Sequence, residues 1–308
     1  MKRQVLVLGG GPDAEREVSL VSSKFVSQAL ERSGDFDVCY QVVERPDLAQ
    51  LRGLPGDVVF PVLHGGWGEG GALQDLLDLD GRPYVGCPAS AARIAMDKVA
   101  TKLIAAQLGI PTQPATVFNA GDPVSCFPMP VVLKPVQEGS SVGVHICRSA
   151  EDFKEAARKV QEDIKKHPNR VYMIERAVLG GSELTVGVLD GKPLPPIEIK
   201  PTVAFYDYEA KYHRNDTKYT VDPTLPAGVG ARISEFAARL FAGIGARHLA
   251  RVDFLLDREG GVWLLEVNTM PGFTDHSLFP MAANRQGLPM EKLCAKLVEL
   301  ALRDAKRP

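Results

Sequence analysis

Arg251-Val252-Asp253 and Glu266-Val267-Asn268 are the segments whose residue types and spacing bear most directly on chemistry. Each sits in an apolar run that reads as a strand, with Phe254, Leu255 and Leu256 beside the first and Val262 to Leu265 before the second. Side chains alternate faces along a strand, so Arg251 and Asp253 share one face, and so do Glu266 and Asn268. The polar, glycine-ended stretch Asp257 to Gly261 between them is a turn signal. If the two strands pair, two carboxylates, an amide oxygen and a guanidinium meet on one patch. Hard oxygen donors between apolar walls suit Mg²⁺, which usually keeps waters and phosphates in its shell. The pattern points to an enzyme that uses a nucleotide, provided another part of the chain grips the phosphates.

Several other groups could complete such a site. Lys134-Pro135 precedes Gln137-Glu138-Gly139-Ser140-Ser141-Val142-Gly143, where glycines allow close approach of backbone N–H groups to a phosphate and serines add donors. The glycine spacing matches neither a Walker A loop nor a Rossmann fingerprint, and a flexible turn is the alternative. Lys134 ends an apolar strand, where its ammonium must reach water or an anion. Ala14-Glu15-Arg16-Glu17 lies beyond a first glycine loop, and Glu15 there is either a partner for a substrate ammonium or one of a surface charge cluster. His64 directly follows a strand run and precedes two glycines, which favours a ligand-facing and a structural role about equally. His145 and His248 read as structural or surface residues, His276 as ambiguous. Lys211-Tyr212 sits in the long polar stretch from Lys200 to Val221; a lysine on such a lid can neutralise a transferring phosphoryl group, and a solvated loop is the alternative. Gly272, just after the second strand, could aim a backbone N–H at developing oxyanion charge, as Arg251 could its guanidinium.

The elements that must position these residues follow from periodicity. Gln4 to Gly10 and Val58 to Leu63 are apolar strands, each ending in glycines; Ser19 opens a helical stripe through Val21, Phe25 and Ala29. This strand, glycine loop and helix rhythm predicts a parallel α/β unit over residues 1–94, with ligands at the carboxyl ends of its strands. A second unit is expected over 95–179: a helix from Met96-Asp97-Lys98, a strand at Val131 to Lys134, a helix opened by the capping box Ser149/Asp152, and a strand at Val171 to Ile174. A third, 180–308, holds an alternating strand from Glu183 to Leu189, a helical stripe from Ile233 to Phe241, the paired strands of the metal patch and a last helix over Pro289 to Asp304.

Bulk properties exclude several classes. With 308 residues and 45% apolar content the chain can bury two or three domains. Basic and acidic residues nearly balance, 36 against 38, so no basic surface points to nucleic acid. Cys39, Cys87, Cys126, Cys147 and Cys294 are odd in number and scattered, which suits a reducing cytoplasm and neither a disulfide framework nor a thiolate metal site. No secretory signal and no apolar run long enough to span a bilayer is present, so no membrane association is expected.

Taken in order, the motifs resemble one family, the D-alanine–D-alanine ligases of the ATP-grasp superfamily. The segments that carry the resemblance are Leu8-Gly9-Gly10 with Ala14 to Ser19, Leu63-His64-Gly65, Met96-Asp97-Lys98, Lys134-Pro135 with Glu138 to Gly143, Tyr208 to Tyr212, Arg251-Val252-Asp253, Glu266-Val267-Asn268-Thr269, Pro271 to Thr274 and His276-Ser277-Leu278. They cover residues 5–280. The resemblance implies a three-domain ATP-grasp fold, an N-terminal parallel α/β domain followed by two α+β domains that clasp ATP. It implies that Lys98 and Lys134 meet the phosphates, with Glu138, Gly139, Ser140 and Ser141 in the covering loop. Glu175 would meet the adenine amino group and Glu183 the ribose. Asp253, Glu266 and Asn268 would hold two Mg²⁺ (or Mn²⁺), with Glu266 shared. Glu15, in a network with Ser140 and Tyr212, would orient the first D-alanine, with His64 beside it. Ser277 and the backbone of Leu278 would hold the second, Lys211 would meet the transferred phosphoryl group, and Arg251 with Gly272 would receive oxyanion charge. A cytoplasmic homodimer is implied by the same resemblance.

The chain departs from the family pattern at Gly70, where Asp is usual, at Arg176-Ala177, where Lys and a large aromatic are common, and at His145 after the Gly-Ser loop. Two other readings compete. A D-alanine–D-lactate ligase or another ATP-grasp carboxylate–amine ligase would share the nucleotide site; Tyr212 favours dipeptide formation by resemblance. A non-catalytic ATP-binding regulatory domain could discard the metal ligands and lysines, all of which are present here. A biotin-type carboxyl phosphate enzyme would need a different substrate domain from the Glu15 and Ser277 segments.

Overall fold

The structure is a computed structural model that describes residues 2–122, 124–139, 141–200 and 217–305. Ser140, Lys211 and Tyr212 lie outside the described residues. The first apolar run forms β1 (Arg3–Gly10), paired in parallel on one side with β2 (Phe36–Val43) and on the other with β3 (Val58–Pro61). Val5 to Leu8 and Val58 to Phe60 are fully buried, as strands covered on both faces require. The crossover from β1 to β2 is α1 (Arg16–Ser33), which ends where Gly34 takes a left-handed backbone with φ 73°. Short helices α2 (Leu48–Arg52), α3 (Gly65–Glu69), α4 (Ala72–Asp80) and α5 (Ala89–Met96) follow. The glycine loops after β1 and the His64 segment after β3 leave the sheet at the same edge, the carboxyl ends of parallel strands.

After α6 (Lys98–Gln107) the chain builds a four-stranded antiparallel sheet from β4 (Ala115–Val117), β5 (Val131–Pro135), β6 (His145–Cys147) and β7 (Tyr172–Arg176), in the order β4-β7-β5-β6. Helix α7 (Ala150–Lys166) covers it, burying Phe153, Ala156, Ala157 and Val160 against Phe118, Val131, Leu133 and Ile174. The Ser149 hydroxyl accepts the Asp152 N–H at 3.1 Å and the Asp152 carboxylate accepts the Ser149 N–H at 3.1 Å, the reciprocal cap expected from the sequence.

The second antiparallel sheet runs β11-β10-β8-β12-β13, from β8 (Ser182–Leu189), β10 (Ile197–Lys200), β11 (Lys218–Val221), β12 (Leu249–Leu256) and β13 (Val262–Asn268), with β9 (Lys192–Pro193) beside β8. β11 closes what the sequence reads as one polar connection from Lys200 to Val221; it pairs with β10 as an edge strand, half-buried, and carries little apolar signal. One face of this sheet packs on α8 (Val229–Gly243) through Leu184, Val186, Val252, Phe254, Leu264 and Val267. Helix α6, expected in the second unit, shares that core through Ala105, so this core crosses the expected division between residues 179 and 180. The last helices, α9 (Leu278–Arg285) and α10 (Met290–Asp304), are shared in the same way. Leu293, Leu297 and Val298 of α10 and Phe279 of α9 join Val5, Val7, Val26, Phe60 and Phe273 in one core that fastens the N-terminal sheet to the C-terminal end of the chain. Phe60 and Phe273 meet edge to face at 5.6 Å. No helix among the described residues is long and apolar enough to cross a membrane.

Candidate active site

β12 and β13 pair antiparallel, in a register that sets Arg251 opposite Asn268 and Asp253 opposite Glu266. The four side chains expected to form a patch therefore stand on one face. A bulge follows between Asp253 and Phe254 and shifts the pairing so that Leu255 meets Trp263. It keeps Leu255, Trp263 and Leu265 in the lining of the neighbouring cavity together with Glu266. On the other side of β12, Thr185 of β8 lies opposite Asp253 and Glu183 opposite Leu255. Asp253 is buried to 1% exposure. Arg251 donates from Nε and Nη2 to its two oxygens at 2.9 and 2.8 Å, and the Thr185 hydroxyl donates to Oδ1 at 2.5 Å. Asn268 Oδ1 accepts the Met270 N–H at 2.9 Å.

The cavity that reaches Glu266 has a volume of about 400 Å³, within the range of small-molecule sites. Lys98, Lys134, Glu138, Ser141, Glu175 and Glu183 all line it, so the structure brings most of the expected nucleotide-contacting residues to one place. Lys98 follows Asp97, whose carboxylate caps α6 by accepting the N–H groups of Val99 and Ala100 at 2.9 Å. Its ammonium reaches the Glu138 carbonyl oxygen at 2.6 Å and lies 3.5 Å from Glu266 Oε2. It thus ties the Gly-Ser loop to the β12–β13 patch. The Glu138 side chain turns the other way and pairs with Arg170 at 2.7 Å, so what it offers the cavity floor is its backbone. Ser141 adopts φ 60°, a left-handed backbone unusual outside glycine and suited to a tight loop with exposed N–H groups.

Glu175 is buried at the back of the cavity between two lysines, Lys134 Nζ at 2.5 Å from Oε1 and Lys102 Nζ at 2.7 Å from Oε2. Burial works against its charge, but the two ammoniums outweigh burial and hold its carboxyl below the ordinary glutamate range. Lys102 is a residue the motif reading passes over. Its signal is its position, four residues after Lys98 and hence on the same face of α6.

A second group of polar residues gathers where the N-terminal loops meet β12. Glu15 and Arg251 both act electrostatically on His64 and Glu69. His64 is 5% exposed, and its Nε2 has no hydrogen-bond partner among the described residues. Burial depresses its pKa against the pull of Glu15 and the Met270 backbone. Glu69 is also buried and accepts the Gly65 N–H at 3.0 Å. Desolvation and the nearby Glu15 charge push its carboxyl up to about 8. A Cβ placed on Gly139 would sit 3.3 Å from Glu15 Oε2, so the Gly-Ser loop rests directly against Glu15. Glu69 carries no role in the motif reading; only the fold reveals that α3 turns it inward.

The loop after β13 closes the group. Phe273 donates its N–H to Ser22 Oγ of α1 at 3.3 Å. Ser277, at the start of α9, accepts the Thr274 N–H at 2.9 Å, and its Oγ would be 2.8 Å from a Cβ on Gly272. Gly272, Ser277 and the first turn of α9 at Leu278 thus form one corner.

Family comparisons were made against this geometry. Residues 108–299 match the model described as the D-ala D-ala ligase C-terminus, and 46–87 the one described as its N-terminus. Similar curated proteins include D-alanine–D-alanine ligase B of Chromobacterium violaceum, 39% identical over 300 residues, covering 96% of this chain and 97% of that one. The D-alanine–D-alanine ligase of Syntrophotalea carbinolica is 40% identical over 304 residues, with 96% and 95% covered.

The chain belongs to the D-alanine–D-alanine ligase family.

A crystal structure of D-alanine–D-alanine ligase from Bacillus anthracis complexed with ATP superposes with a TM-score of 0.82 at 26% identity, over 99% of each chain. The fold is the ATP-grasp arrangement expected, and the protein is a ligase. The departures from the family pattern find local reasons. At Gly70 a Cβ would run into the Gly66 carbonyl oxygen, so α3 closes too tightly here for a side chain. Arg176 and Ala177 continue β7 through backbone N–H bonds to Pro114 at 3.1 Å and Pro130 at 3.0 Å and line the cavity mouth. His145 alternates with Val144 and Ile146, which face the cavity; it turns to the other side, near Lys159, Asp163 and Glu155 of α7, where burial lowers its pKa. His248 is structural, as expected: buried, accepting the Gly86 N–H at 3.1 Å and 3.1 Å from Asp304. His276 is exposed beside Asp275.

Whether the patch suits a divalent cation can be judged from its donors. No group of three His, Cys, Asp or Glu side chains poised to hold a metal occurs among the described residues. The set in question is two carboxylates and one amide, all oxygen donors on one face; Asp253 Oδ1 is taken up by Arg251 and Thr185, while Asp253 Oδ2, bonded by Arg251, and Asn268 Oδ1, bonded by the Met270 N–H, each keep a further lone pair. That chemistry fits Mg²⁺ or Mn²⁺ and disfavours softer ions.

Proposed function

We propose that the protein joins two D-alanine molecules into D-alanyl-D-alanine, using ATP and passing through a D-alanyl phosphate, and so supplies a peptidoglycan precursor. The observation that carries this reading is the convergence of Lys98 and Glu266, the latter paired across the strands with Asp253, on the cavity that also holds Lys134, Glu175 and Glu183. ATP binds with its base toward Glu175, its ribose toward Glu183 and its phosphates toward Lys98, Lys134 and the loop from Glu138 through Gly139 and Ser140 to Ser141. Asp253, Glu266 and Asn268 hold two Mg²⁺ or Mn²⁺ ions, which offset the phosphate charge when bound.

A carboxylate resists nucleophiles because it is anionic and its oxygen leaves poorly. In the first step an oxygen of the first D-alanine carboxylate attacks the γ-phosphorus; the bond from that phosphorus to the β–γ bridging oxygen breaks and ADP departs. Glu15 and His64 hold this D-alanine, in a network completed by Ser140 and Tyr212, while Lys211 neutralises the moving phosphoryl group. In the second step the other D-alanine, positioned by Ser277 and the Leu278 N–H and entering as the free amine, attacks the acyl carbon, and the proton its nitrogen sheds departs with the phosphate. Negative charge forms on the acyl oxygen, and the Arg251 guanidinium and Gly272 N–H receive it. Inorganic phosphate leaves and the peptide bond remains. Exclusion of water protects the acyl phosphate between the steps. The enzyme acts in the cytoplasm as a homodimer.

Incubation with ATP, Mg²⁺ and D-alanine tests the reading by following phosphate and dipeptide together. Equal amounts of both, with neither from L-alanine, are expected; phosphate without dipeptide, or dipeptide from L-alanine as readily, contradicts it. With D-lactate added across a range of pH, dipeptide prevails increasingly as the amine deprotonates, and a depsipeptide that dominates throughout supports the D-lactate alternative instead.

A further inference from the structure

Behind the cavity the ammonium of Lys102 is held by three oxygens at once. It lies 2.7 Å from Glu175 Oε2, 2.6 Å from Thr112 Oγ1 and 3.2 Å from the Gln113 carbonyl. Three donors on a lysine meet three acceptors, so its position is fully specified. The acceptors come from separate elements. Glu175 ends β7, and Thr112 belongs to the segment that bridges to Leu264 of β13, where Leu264 donates its N–H to Pro111 at 2.8 Å. Lys102 itself is buried on α6 and is absent from the cavity lining, whereas Gln113, Lys134 and Glu175 line it. It therefore cannot touch a nucleotide and acts through its neighbours.

We infer that Lys102 is a positioning residue for nucleotide choice: it fixes the orientation of the Glu175 carboxylate, so that an oxygen of that group meets the amino group of adenine. This rests on the reading that Glu175 faces the adenine base. With Lys134 on one carboxylate oxygen and Lys102 on the other, rotation about the last bonds of Glu175 breaks an ion pair in either direction. The lone pairs that the lysines leave unused then point in a fixed direction. A purine with an amino group there gains a charge-assisted hydrogen bond; one with a carbonyl oxygen there sets one acceptor against another, with no proton between them. α6 carries Lys98 four residues earlier, at the phosphate end, so a single rigid helix sets the distance between the base reader and Glu266. Removal of Lys102 leaves a buried carboxylate with one cation, free to swing toward Lys134, and the base loses a partner in a defined place.

The test compares KM for ATP with KM for purine riboside 5′-triphosphate, which lacks only the 6-amino group, in the wild-type enzyme, Lys102→Met and Thr112→Val. Wild type should favour ATP by about tenfold, the worth of one hydrogen bond to a charged group. Lys102→Met should raise KM for ATP until the two nucleotides differ by no more than about twofold, with KM for D-alanine unchanged. A merely loosened fold would raise both nucleotide values together and preserve their ratio, and that result overturns the inference. Thr112→Val, which keeps the lysine and removes one anchor, should reduce the ratio by about threefold; this variant carries the test should Lys102→Met not fold, and an undiminished ratio in it overturns the inference equally. A wild-type enzyme that treats both nucleotides alike defeats the reading of Glu175, and the role of Lys102 with it. Discrimination in wild type that survives intact in Lys102→Met defeats only the role of Lys102.

Discussion

Asp253 and Glu266 stand directly opposite one another across β12 and β13, yet they are held in different ways. Asp253 is locked by Arg251 and Thr185 and almost wholly buried, whereas the Glu266 side chain, 23% exposed, faces the cavity with Lys98 3.5 Å away. One carboxylate is a fixed anchor and the other is the group that meets the contents of the cavity.

Replacement of Glu266 by Gln keeps the shape and removes the charge that faces the cavity, where the phosphates are proposed to lie. Phosphoryl transfer should slow by about two orders of magnitude or more, the scale of losing one preorganised electrostatic partner. Thermal unfolding should be nearly unchanged because the side chain is partly solvated. Turnover at saturating Mg²⁺ that equals wild type would remove Glu266 from the mechanism.

Arg251→Ala has two consequences with one origin. Under the proposed function the oxyanion loses its guanidinium, so kcat should fall more than KM for ATP rises. Asp253 also becomes a buried carboxylate retaining only Thr185, and breaking such a pair costs about 3 kcal/mol of stability. Kinetics together with a denaturation curve check both; a pure loss of ATP affinity at unaltered stability would contradict the assignment.

Glu69 gives a pH dependence of stability. Its carboxyl is raised from 4.5 to about 8 by desolvation first and Glu15 second. Between those values the folded state binds a proton that the unfolded state has released, so this group's contribution to stability is lost as pH rises through the interval. Glu69→Gln, neutral at every pH, should melt about 5 °C above wild type near the upper end of that interval, with the gap closing toward its lower end. Parallel melting curves for the two proteins across the interval would show that the group titrates normally.

Ser277 is proposed to hold the second D-alanine carboxylate. Ser277→Ala should raise KM for the acceptor by about tenfold while leaving KM for ATP alone, as removal of one hydrogen bond to a charged group does. Steady-state assays with each substrate varied in turn decide it, and an effect confined to ATP would move Ser277 out of the acceptor site.

Much of this site is written locally. Alternation along Arg251 to Leu256 and Val262 to Asn268, with a polar turn between, is enough to forecast a hairpin and its shared face, because strand periodicity and register are short-range properties. The Ser149/Asp152 cap and the glycine-ended strands β1 and β3 are legible for the same reason. What escapes is whatever depends on contacts distant in sequence. The bulge after Asp253 leaves no mark in the residues. The strand Phe36–Val43 is an edge strand with polar Asp37 and Gln41, and carries no clear pattern. Lys102, Glu69 and Thr185 look like ordinary helix or strand residues until the fold sets Glu175, Glu15 and Asp253 beside them. The joint core of β1, β3, α9 and α10 unites segments from both ends of the chain, which periodicity cannot foretell.

The oxygens of Asp253, Glu266 and Asn268 are proposed to bind divalent cations against the phosphates of a nucleotide in the neighbouring cavity. Crystals grown with Mn²⁺ and a non-hydrolysable ATP analogue address it most directly, because manganese scatters anomalously. Anomalous peaks are expected in contact with Glu266 and with Asp253 or Asn268, each also touching phosphate oxygens, with a base adjoining Glu175. Phosphates bound away from that patch, or manganese found only elsewhere on the surface, would contradict it.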